Sequence, residues 1–312
     1  MAEESFWDLY WETRLQFLQG QGKGHAILAA SRLIRGTPSQ PMRILELGCG
    51  EGQILGALVQ AHPQAAMIQE SIGVDYDPGS LETARKYYPG IQFIHGDFTN
   101  REFLASLGTF DLILLVNALH HVYSDAYDEE LGEVDIPTAK EQVREAFTAI
   151  LPLLNSGGSL LLFDGLEMDG DTRRPVEIRF LQTEAQEAFQ QFAREYQPFR
   201  VRFTAGSSHS HKDTIQLSIR DFTRYVTKLI FLGKPLWERE RLESYQYFSQ
   251  EEMMSLFLEN GLILTEKQLI SVDLQRWQEG IEILSPGIDF PVEHILLVGK
   301  NLENLASALR LP

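Results

Sequence analysis

ILELGCGEG, residues 44–52, is the stretch that decides the fold. The residues from Arg43 to Leu47 predict a buried strand, and a turn with a glycine at every second position follows directly. A helix is predicted next, from about Gln53 to His62. Glycine is needed where the backbone takes a positive φ or where a ligand comes close to it. The N-terminal N–H groups of the helix would point at the turn, so the stretch predicts a site for a nucleotide-like ligand.

Composition limits the classes of protein that fit the chain. Its 312 residues allow about two domains, or one domain with a large insertion, and 44% apolar residues are enough for a packed core. The net charge of −17 argues against a nucleic-acid partner, because phosphate binding needs a basic surface. The sequence has no apolar run of ~18 residues and no signal-peptide layout, and it contains a single cysteine. These features indicate a cytoplasmic protein without a membrane partner. Its expected partner is a small molecule, and its oligomeric state is not indicated by the sequence.

The pattern after the glycine turn predicts an α/β fold. Short apolar runs alternate with amphipathic helices, which is typical of a parallel, doubly wound sheet. Two later runs predict an antiparallel pair of strands at the edge of that sheet. The predicted strands cover residues 43–47, 71–75, 91–94, 110–116, 159–164, 262–273 and 293–300.

Residues 166–245 interrupt this alternation. Apolar residues recur there at helical spacing, and we expect a helical insertion between strands five and six. We therefore predict a main domain of residues 1–165 and 246–301, and an insertion that forms the acceptor pocket or a lid. A helix predicted at residues 4–20 either packs on the main body or acts as a lid over the ligand. Aromatic residues of the insertion either line that pocket or pack in its own core: Phe180, Phe189, Tyr225, Phe231 and Trp237.

The identity of the nucleotide depends on two further positions. Asp75 ends the second predicted strand, where a carboxylate can accept hydrogen bonds from both ribose hydroxyls. A dinucleotide fingerprint needs a glycine three residues after Gly50, yet that residue is Gln53, and the third glycine is instead Gly52. The turn is therefore better suited to a ligand without a diphosphate.

These features together resemble the class I S-adenosylmethionine-dependent methyltransferases. The resemblance covers residues 40–165 and 246–300, and it rests on landmarks in the family's order. They are Glu46-x-Gly48-Cys49-Gly50-x-Gly52, Asp75 after strand two, Asp97 after strand three, Phe110-Asp111 and Asn117 around strand four, and Gly157-Gly158 before strand five. The resemblance implies a Rossmann-like sheet of seven strands, the last one antiparallel, with S-adenosylmethionine at its C-terminal edge.

The same resemblance implies a role for each part of the site. The methionine part of the cofactor would lie along the turn, the nucleoside at the ends of strands two and three, and the sulfonium at the end of strand four. Asp97 could instead be a plain turn residue. Carried over by position, the residues are Glu46, Gly48, Cys49 and Gly50 for the methionine part, with Gly52 completing the turn, Asp75 and Tyr76 for the ribose and adenine, Asp97 and Phe98 for the adenine, and Asn117 and Ala118 for the sulfonium.

His120 and His121, just past the fourth strand, are the candidate catalytic residues. One of them would act as a base or orient the acceptor, since imidazole titrates near neutral pH. A base is needed only if the acceptor must lose a proton, and packing or helix capping is the alternative role for the pair. Asp164 and Tyr123 are weaker candidates for acceptor contacts.

Two other polar clusters carry less weight. His209 and His211 with Asp213 match no closed set of metal ligands, so we predict a solvated loop and no metal site. The acidic run of residues 125–135 predicts a solvated loop, or else favours a cationic or amine-bearing acceptor.

The sequence thus predicts an enzyme that transfers a methyl group from S-adenosylmethionine to a small molecule by in-line displacement. Two alternatives stay open. A protein that binds S-adenosylmethionine without transferring its methyl group would keep every feature of the turn. An NAD-dependent oxidoreductase would share the fold, but Gln53 argues against it.

Overall fold

The computed structural model describes residues 22–37, 39–61, 68–206 and 213–302, and the strands of these residues form three sheets. In chain order the strands are β1 (Met42–Leu47), β2 (Ile68–Asp75), β3 (Gln92–His95), β4 (Phe110–Val116), β5 (Tyr127–Asp128), β6 (Glu133–Val134), β7 (Leu154–Gly165), β8 (Pro175–Phe180), β9 (Phe203–Ala205), β10 (Thr214–Ser218), β11 (Leu262–Ile270), β12 (Ile281–Ile283) and β13 (His294–Asn301). The helices are α1 (Lys23–Leu33), α2 (Gln53–Ala61), α3 (Pro78–Tyr87), α4 (Arg101–Ser106), α5 (Leu119–Ser124), α6 (Ile136–Ile150), α7 (Thr183–Glu195), α8 (Ile219–Lys228), α9 (Trp237–Glu240), α10 (Gln250–Glu259) and α11 (Leu274–Gly280).

The largest sheet has seven strands in the order β11-β13-β7-β4-β1-β2-β3. β1 pairs in parallel with both β2 and β4, so the strand order reverses beside β1. β13 is antiparallel to both of its neighbours, β7 and β11. The predicted Rossmann-like sheet, doubly wound and with its last strand antiparallel, is confirmed. Sheets of this kind bind ligands at the C-terminal ends of the strands, beside the point of reversal.

Alternate residues of the central strands face opposite layers of helices. Ile44 of β1 and Leu112 of β4 pack in an apolar cluster with α1, α2 and α3. Leu45 and Ile113 pack in a second cluster with α4, α5, α6 and α10. All four side chains are fully buried. β4 has the nearly continuous apolar sequence FDLILLV because both of its faces are covered.

The segment between β7 and α10 contains a second sheet, so the expectation of a purely helical insertion is wrong. Four strands, in the order β12-β8-β10-β9, pair antiparallel. Val176, Ile178 and Phe180 of β8 are buried and alternate with more exposed residues, which is the period of a strand. The spacing of Ile178 to Leu181 and Ala185 also fits a helical period, so the apolar pattern alone does not distinguish this strand from a helix.

The helical part of the insertion includes α7 and α8. Ser218 caps α8 as its sequence predicts, and its side chain accepts a hydrogen bond of 3.0 Å from the N–H of Asp221. The small sheet extends beyond the expected range, because β12 pairs with β8 although it lies within residues 246–301.

Two expectations concern parts of the chain outside the described residues. They are the helical lid at residues 4–20 and the cluster around His209 and His211. Within the described residues, no helix is both long enough and apolar enough to cross a membrane.

Candidate functional site

The turn after β1 needs its glycines for two separate reasons. Gly48, Gly50 and Gly52 have φ values of 74°, 52° and 77°, which favour glycine. A Cβ atom on Gly48 would lie 2.8 Å from the Cβ of Ala118, and one on Gly52 would lie 2.5 Å from the ring of Phe93. Carbon atoms do not approach so closely, so both positions exclude a side chain. The turn is therefore closely packed as well as unusually folded.

Asp75, at the end of β2, fixes the glycine turn. Its Oδ2 accepts a hydrogen bond of 2.7 Å from the N–H of Gly50, and its Oδ1 accepts one of 2.9 Å from the N–H of Asp77. The N–H groups of Gly48 and Cys49 donate to the carbonyl of Val74, also in β2. Each carboxylate oxygen of Asp75 has a second lone pair, so Asp75 can still accept bonds from a ligand.

A cavity of about 610 Å³ lies between this turn and residues 239–245 at the end of the insertion. Its volume is in the range of small-molecule and cofactor sites. Gly52 is the one predicted cofactor residue that does not line it, because Gly52 serves the packing against Phe93. The predicted residues that do line it are Glu46, Gly48, Cys49, Gly50, Asp75, Tyr76, Asp97, Phe98, Asn117, Ala118, His120 and His121.

Asn117, directly after β4, has a strained backbone at the cavity wall. It is the one non-glycine residue with a positive φ, 52°, in the described part of the chain. Its N–H donates a hydrogen bond of 2.7 Å to the carbonyl of Phe163 in β7, which holds the two strand ends together. Asparagine tolerates this conformation better than most residues, and such strain is concentrated at functional sites.

Asp97 caps the turn that follows β3. Its Oδ1 accepts hydrogen bonds of 2.8 and 2.7 Å from the N–H and the hydroxyl of Thr99. The turn role considered for this residue is thus present, and Asp97 still lines the cavity beside Phe98. Tyr76 is 67% exposed, so its ring lies at the rim of the cavity.

Glu46 is a buried acid beside the turn, with 1% of its surface exposed. Burial raises the pKa of its carboxyl to about 8, against the opposing effect of Lys23. Lys23, in α1, lines the same cavity and was not identified from the sequence. Glu46 therefore favours the protonated form at neutral pH until a second positive charge, besides that of Lys23, comes near.

The predicted catalytic pair forms a polar cluster with two acids. His120 is 2% exposed, and its Nδ1 lies 2.7 Å from Oδ1 of the fully buried Asp164. The Nε2 of His120 lies 3.6 Å from one carboxylate oxygen of Glu243, and the Nδ1 of His121 lies 3.5 Å from the other. The rings of the two histidines are 4.3 Å apart.

The pKa values of the two histidines shift in opposite directions. Burial alone lowers the pKa of His120, but the carboxylates of Asp164 and Glu243 together outweigh burial and raise the pKa to about 9. Burial lowers the pKa of His121. Burial opposes the charged form of Glu243, but the two histidines hold its pKa below the usual range.

Glu243 and Tyr245 are the residues of this cluster that sequence reasoning missed. Tyr245 packs edge-on against the ring of His120 at 4.7 Å, and its hydroxyl donates to Glu240. Glu240 is in turn paired with Lys228 of α8 at 2.7 Å, and both are buried. No motif marks residues 239–245, although the aromatic run from Tyr245 to Phe248 is a weak sign of burial.

The fold and this site together define a class I S-adenosylmethionine-dependent methyltransferase domain, whose cofactor is S-adenosylmethionine. Residues 44–135, less than a third of the chain, match the family described as a methyltransferase domain. The match extends from β1 through β6, so it includes the glycine turn, Asp75, Asp97 and the histidine pair.

Individual relatives match only part of the chain. Over 69 residues, this chain is 39% identical to a trans-aconitate 2-methyltransferase of Methylobacterium nodulans. Those residues make up 22% of this chain and 25% of the relative. Over 76 residues, this chain is 33% identical to the enzyme of that name from an Acidovorax species. Those residues make up 24% of this chain and 28% of the relative. The chain thus matches about a quarter of the length of these relatives.

Solved structures align over most of the chain with low identity. An S-adenosylmethionine-dependent methyltransferase from Mesorhizobium loti aligns with 91% of this chain and 100% of its own, at 15% identity and a TM-score of 0.47. The N-methyltransferase NodS from Bradyrhizobium japonicum aligns with 89% of this chain and 87% of its own, at 13% identity and a TM-score of 0.43.

Proposed function

We propose that this protein is an enzyme that transfers a methyl group from S-adenosylmethionine to a small-molecule acceptor. The observation that carries the proposal is a single cavity that joins the cofactor turn to the cluster of His120, His121 and Glu243. A donor at the turn and an acceptor at the cluster would share one space. In-line displacement requires that proximity and alignment.

The residues around the turn suit the cofactor. A Cβ on Gly48 would clash with the Cβ of Ala118, so the turn presents bare backbone to the cavity, and Glu46 is a buried acid with a raised pKa. We assign the methionine part to the turn, its ammonium group to Glu46, and the nucleoside to the ends of β2 and β3. The methionine part would contact Gly48, Cys49 and Gly50, and the ribose would contact Asp75. The adenine would contact Tyr76, Asp97 and Phe98, and the sulfonium would lie beside Asn117 and Ala118.

The insertion forms the acceptor side of the cavity in this proposal. Arg239, Leu242, Glu243 and Tyr245 line the wall opposite the turn, and all of them lie at the end of the insertion. We therefore divide the chain into a cofactor-binding domain of residues 1–165 and 246–301 and an insertion of residues 166–245, whose sheet also takes in β12.

The charges of the cavity favour a small neutral or cationic acceptor over a polyanion. Leaving the histidines aside, its lining has more acids than bases, so a nucleic acid or a free tricarboxylate would be repelled. Trans-aconitate, named in the matching relatives, would need an accompanying cation here. The acids are Glu46, Asp75, Asp77, Asp97, Asp125, Glu240 and Glu243, and the bases are Lys23 and Arg239.

Methyl transfer mainly requires that the protein position the donor and the acceptor. S-adenosylmethionine supplies a methyl group already activated on a sulfonium, so the protein need not activate the donor. His120 is held on one side by Asp164 and packed on another by Tyr245, so its ring keeps a fixed orientation toward the acceptor. The buried side chains of Val116 and Ala118 line the cavity at the end of β4 and restrict water near the reacting atoms.

Two measurements on the full chain test the proposal. Calorimetric titration should give binding of S-adenosylmethionine and S-adenosylhomocysteine, and none of NAD. Absence of binding by both sulfur ligands would contradict the cofactor assignment. Incubation with labelled donor and a panel of alcohols, phenols, carboxylates and amines should then label at least one acceptor. Binding without transfer to any of them would instead indicate a protein that only binds the cofactor.

A further inference from the structure

Three side chains that commonly ligate metals meet on the acceptor side of the cavity. One ligating atom from each of His120, His121 and Glu243 lies within 4.8 Å of the other two. The two histidine nitrogens are 3.6 and 3.5 Å from the Glu243 oxygens, which is too long for ordinary hydrogen bonds. Two ligand atoms, each about 2.1 Å from one ion at a tetrahedral angle, are roughly 3.4 Å apart. The two separations run to different oxygens of Glu243, so they suit a cation shared by the two imidazoles and a carboxylate that uses both of its oxygens.

The hydrogen bond to Asp164 supports this independently. Asp164 is fully buried and is fixed by the N–H groups of Leu119, at 3.0 Å, and Gly165, at 2.8 Å. It faces the Nδ1 of His120 at 2.7 Å. In metal sites a ligating histidine donates its second N–H to a carboxylate in this manner, which turns its other nitrogen toward the ion. His120 has that orientation, with Nε2 directed at Glu243.

The ligand set indicates the kind of ion. Two imidazoles and one carboxylate suit divalent zinc, cobalt, iron or manganese, whereas magnesium and calcium prefer oxygen ligands alone. Asp125 lines the same cavity and would add to the attraction for a cation. Three protein ligands leave at least one coordination position open to another molecule.

We propose that His120, His121 and Glu243 bind one divalent transition-metal ion, and that the open position binds an oxygen atom of the methyl acceptor. The acceptor is then an alcohol, a phenol or a carboxylate. Binding of the ion stands by itself, whereas the identity of the acceptor rests on the proposed function. The sequence predicted no metal site, and it could not reveal this one, because Glu243 lies at the far end of the insertion and no local spacing connects it with the histidines.

The transfer step balances without a further reactant. A lone pair of the acceptor oxygen forms the new carbon–oxygen bond, while the carbon–sulfur bond breaks and its electron pair stays on sulfur. A hydroxyl acceptor releases its proton to solvent, and coordination to the ion makes that proton more acidic. A carboxylate acceptor has no proton to release. Neither partner is oxidised or reduced.

Metal binding is tested on the full chain after chelation and dialysis. Titration with Co²⁺, followed by visible absorption, should saturate at one ion per chain, and Zn²⁺ should displace it while a large excess of Mg²⁺ should not. Glu243→Gln and His121→Ala should each weaken Co²⁺ binding by at least 10-fold. Asp164→Asn should weaken it by about 10- to 100-fold, because it acts through the orientation of His120.

The matched control is Glu130→Gln, since Glu130 is an exposed acid in the same chain outside the cavity lining. It should bind Co²⁺ as the wild type does. A far-UV circular dichroism spectrum like that of the wild type reports an intact fold in each variant. Failure of the wild type to bind Co²⁺, or equal affinity in the wild type and Glu243→Gln, would overturn the metal site. A wild type that binds Co²⁺ but no S-adenosylmethionine would overturn only the proposed function.

The acceptor class is tested by comparing metal-free and metal-loaded protein. Labelled methyl transfer should occur to oxygen acceptors only with the metal-loaded protein, and Glu243→Gln should lose most of it. Transfer to amines at the same rate with and without metal, and none to oxygen acceptors, would refute the assigned acceptor class while leaving the metal site in place.

Discussion

The Oδ2 atom of Asp75 lies 2.7 Å from the backbone nitrogen of Gly50, so the carboxylate at the end of β2 holds the turn that follows β1. Asp75 was expected only to bind the ribose of a ligand. In the structure Asp75 also fixes the backbone around the site, because it accepts hydrogen bonds from the N–H groups of both Gly50 and Asp77.

Replacing Asp75 should therefore weaken cofactor binding. Asp75→Ala removes charge-assisted hydrogen bonds to the ligand and the support of the turn, and we expect a loss of about 2–4 kcal/mol in the binding of S-adenosylmethionine. Calorimetric titration measures this loss, with the exposed Asp289→Ala as a control. An unchanged dissociation constant would mean that the ribose site is misassigned.

Gly52→Ala should destabilise the fold more than a glycine replacement in open space. The new Cβ would lie 2.5 Å from the ring of Phe93 at a φ of 77°. Gly157 has a φ of 78° with nothing within 4 Å, so Gly157→Ala tests the backbone effect alone. We expect about 1–2 kcal/mol for Gly157→Ala and about 1–3 kcal/mol more for Gly52→Ala, measured by urea unfolding. Equal losses would show that the clash with Phe93 is relieved.

Cofactor binding should release a proton from Glu46. With a pKa of about 8, this carboxyl is mostly protonated at pH 7 in the free protein. A ligand ammonium group would lower the pKa, so about nine-tenths of a proton should leave on binding. Calorimetry at pH 7 in two buffers of different ionisation enthalpy measures the release, and Glu46→Gln should abolish it. A wild type that releases no proton would place the ammonium group elsewhere.

The same residue should make the ligand-free protein less stable as the pH rises. The pKa of Glu46 is higher in the folded than in the unfolded state, so its contribution is full below the unfolded value near 4.5 and is lost as the pH passes through about 8. The free energy of unfolding should therefore fall from pH 6 to pH 8.5 more steeply in the wild type than in Glu46→Gln. Parallel slopes in urea unfolding would contradict this.

The buried ion pair of Lys228 and Glu240 should anchor the acceptor wall. Both side chains are at most 4% exposed and 2.7 Å apart, and Glu240 also accepts from the hydroxyl of Tyr245. Lys228→Met leaves an unpaired buried carboxylate, and we expect a loss of about 3–5 kcal/mol in the free energy of unfolding. The double variant with Glu240→Gln should recover most of it. A single variant as stable as the wild type would contradict the prediction.

Much of the fold was predictable because its signals are local. The strand-turn-helix of residues 43–61, the apolar run of β4 and the capping residue of α8 each depend on neighbours in sequence. The small sheet was not predictable in the same way. β8 and β10 are short, and the spacing of Ile178 fits a helix and a strand equally.

The amino-acid sequence by itself determined the cofactor end of the site. Glycines at 48 and 50, Asp75 and Asn117 all follow strands of one sheet, and parallel strands bring their C-terminal ends to a common edge. Only the tertiary structure decided the acceptor end. Asp164 and Glu243 reach the histidine pair from a later strand and from the end of the insertion, and only packing of those segments brings them within 2.7 and 3.6 Å of His120. Contacts across such long sequence separations depend on the folded geometry of the whole domain, which no local spacing encodes.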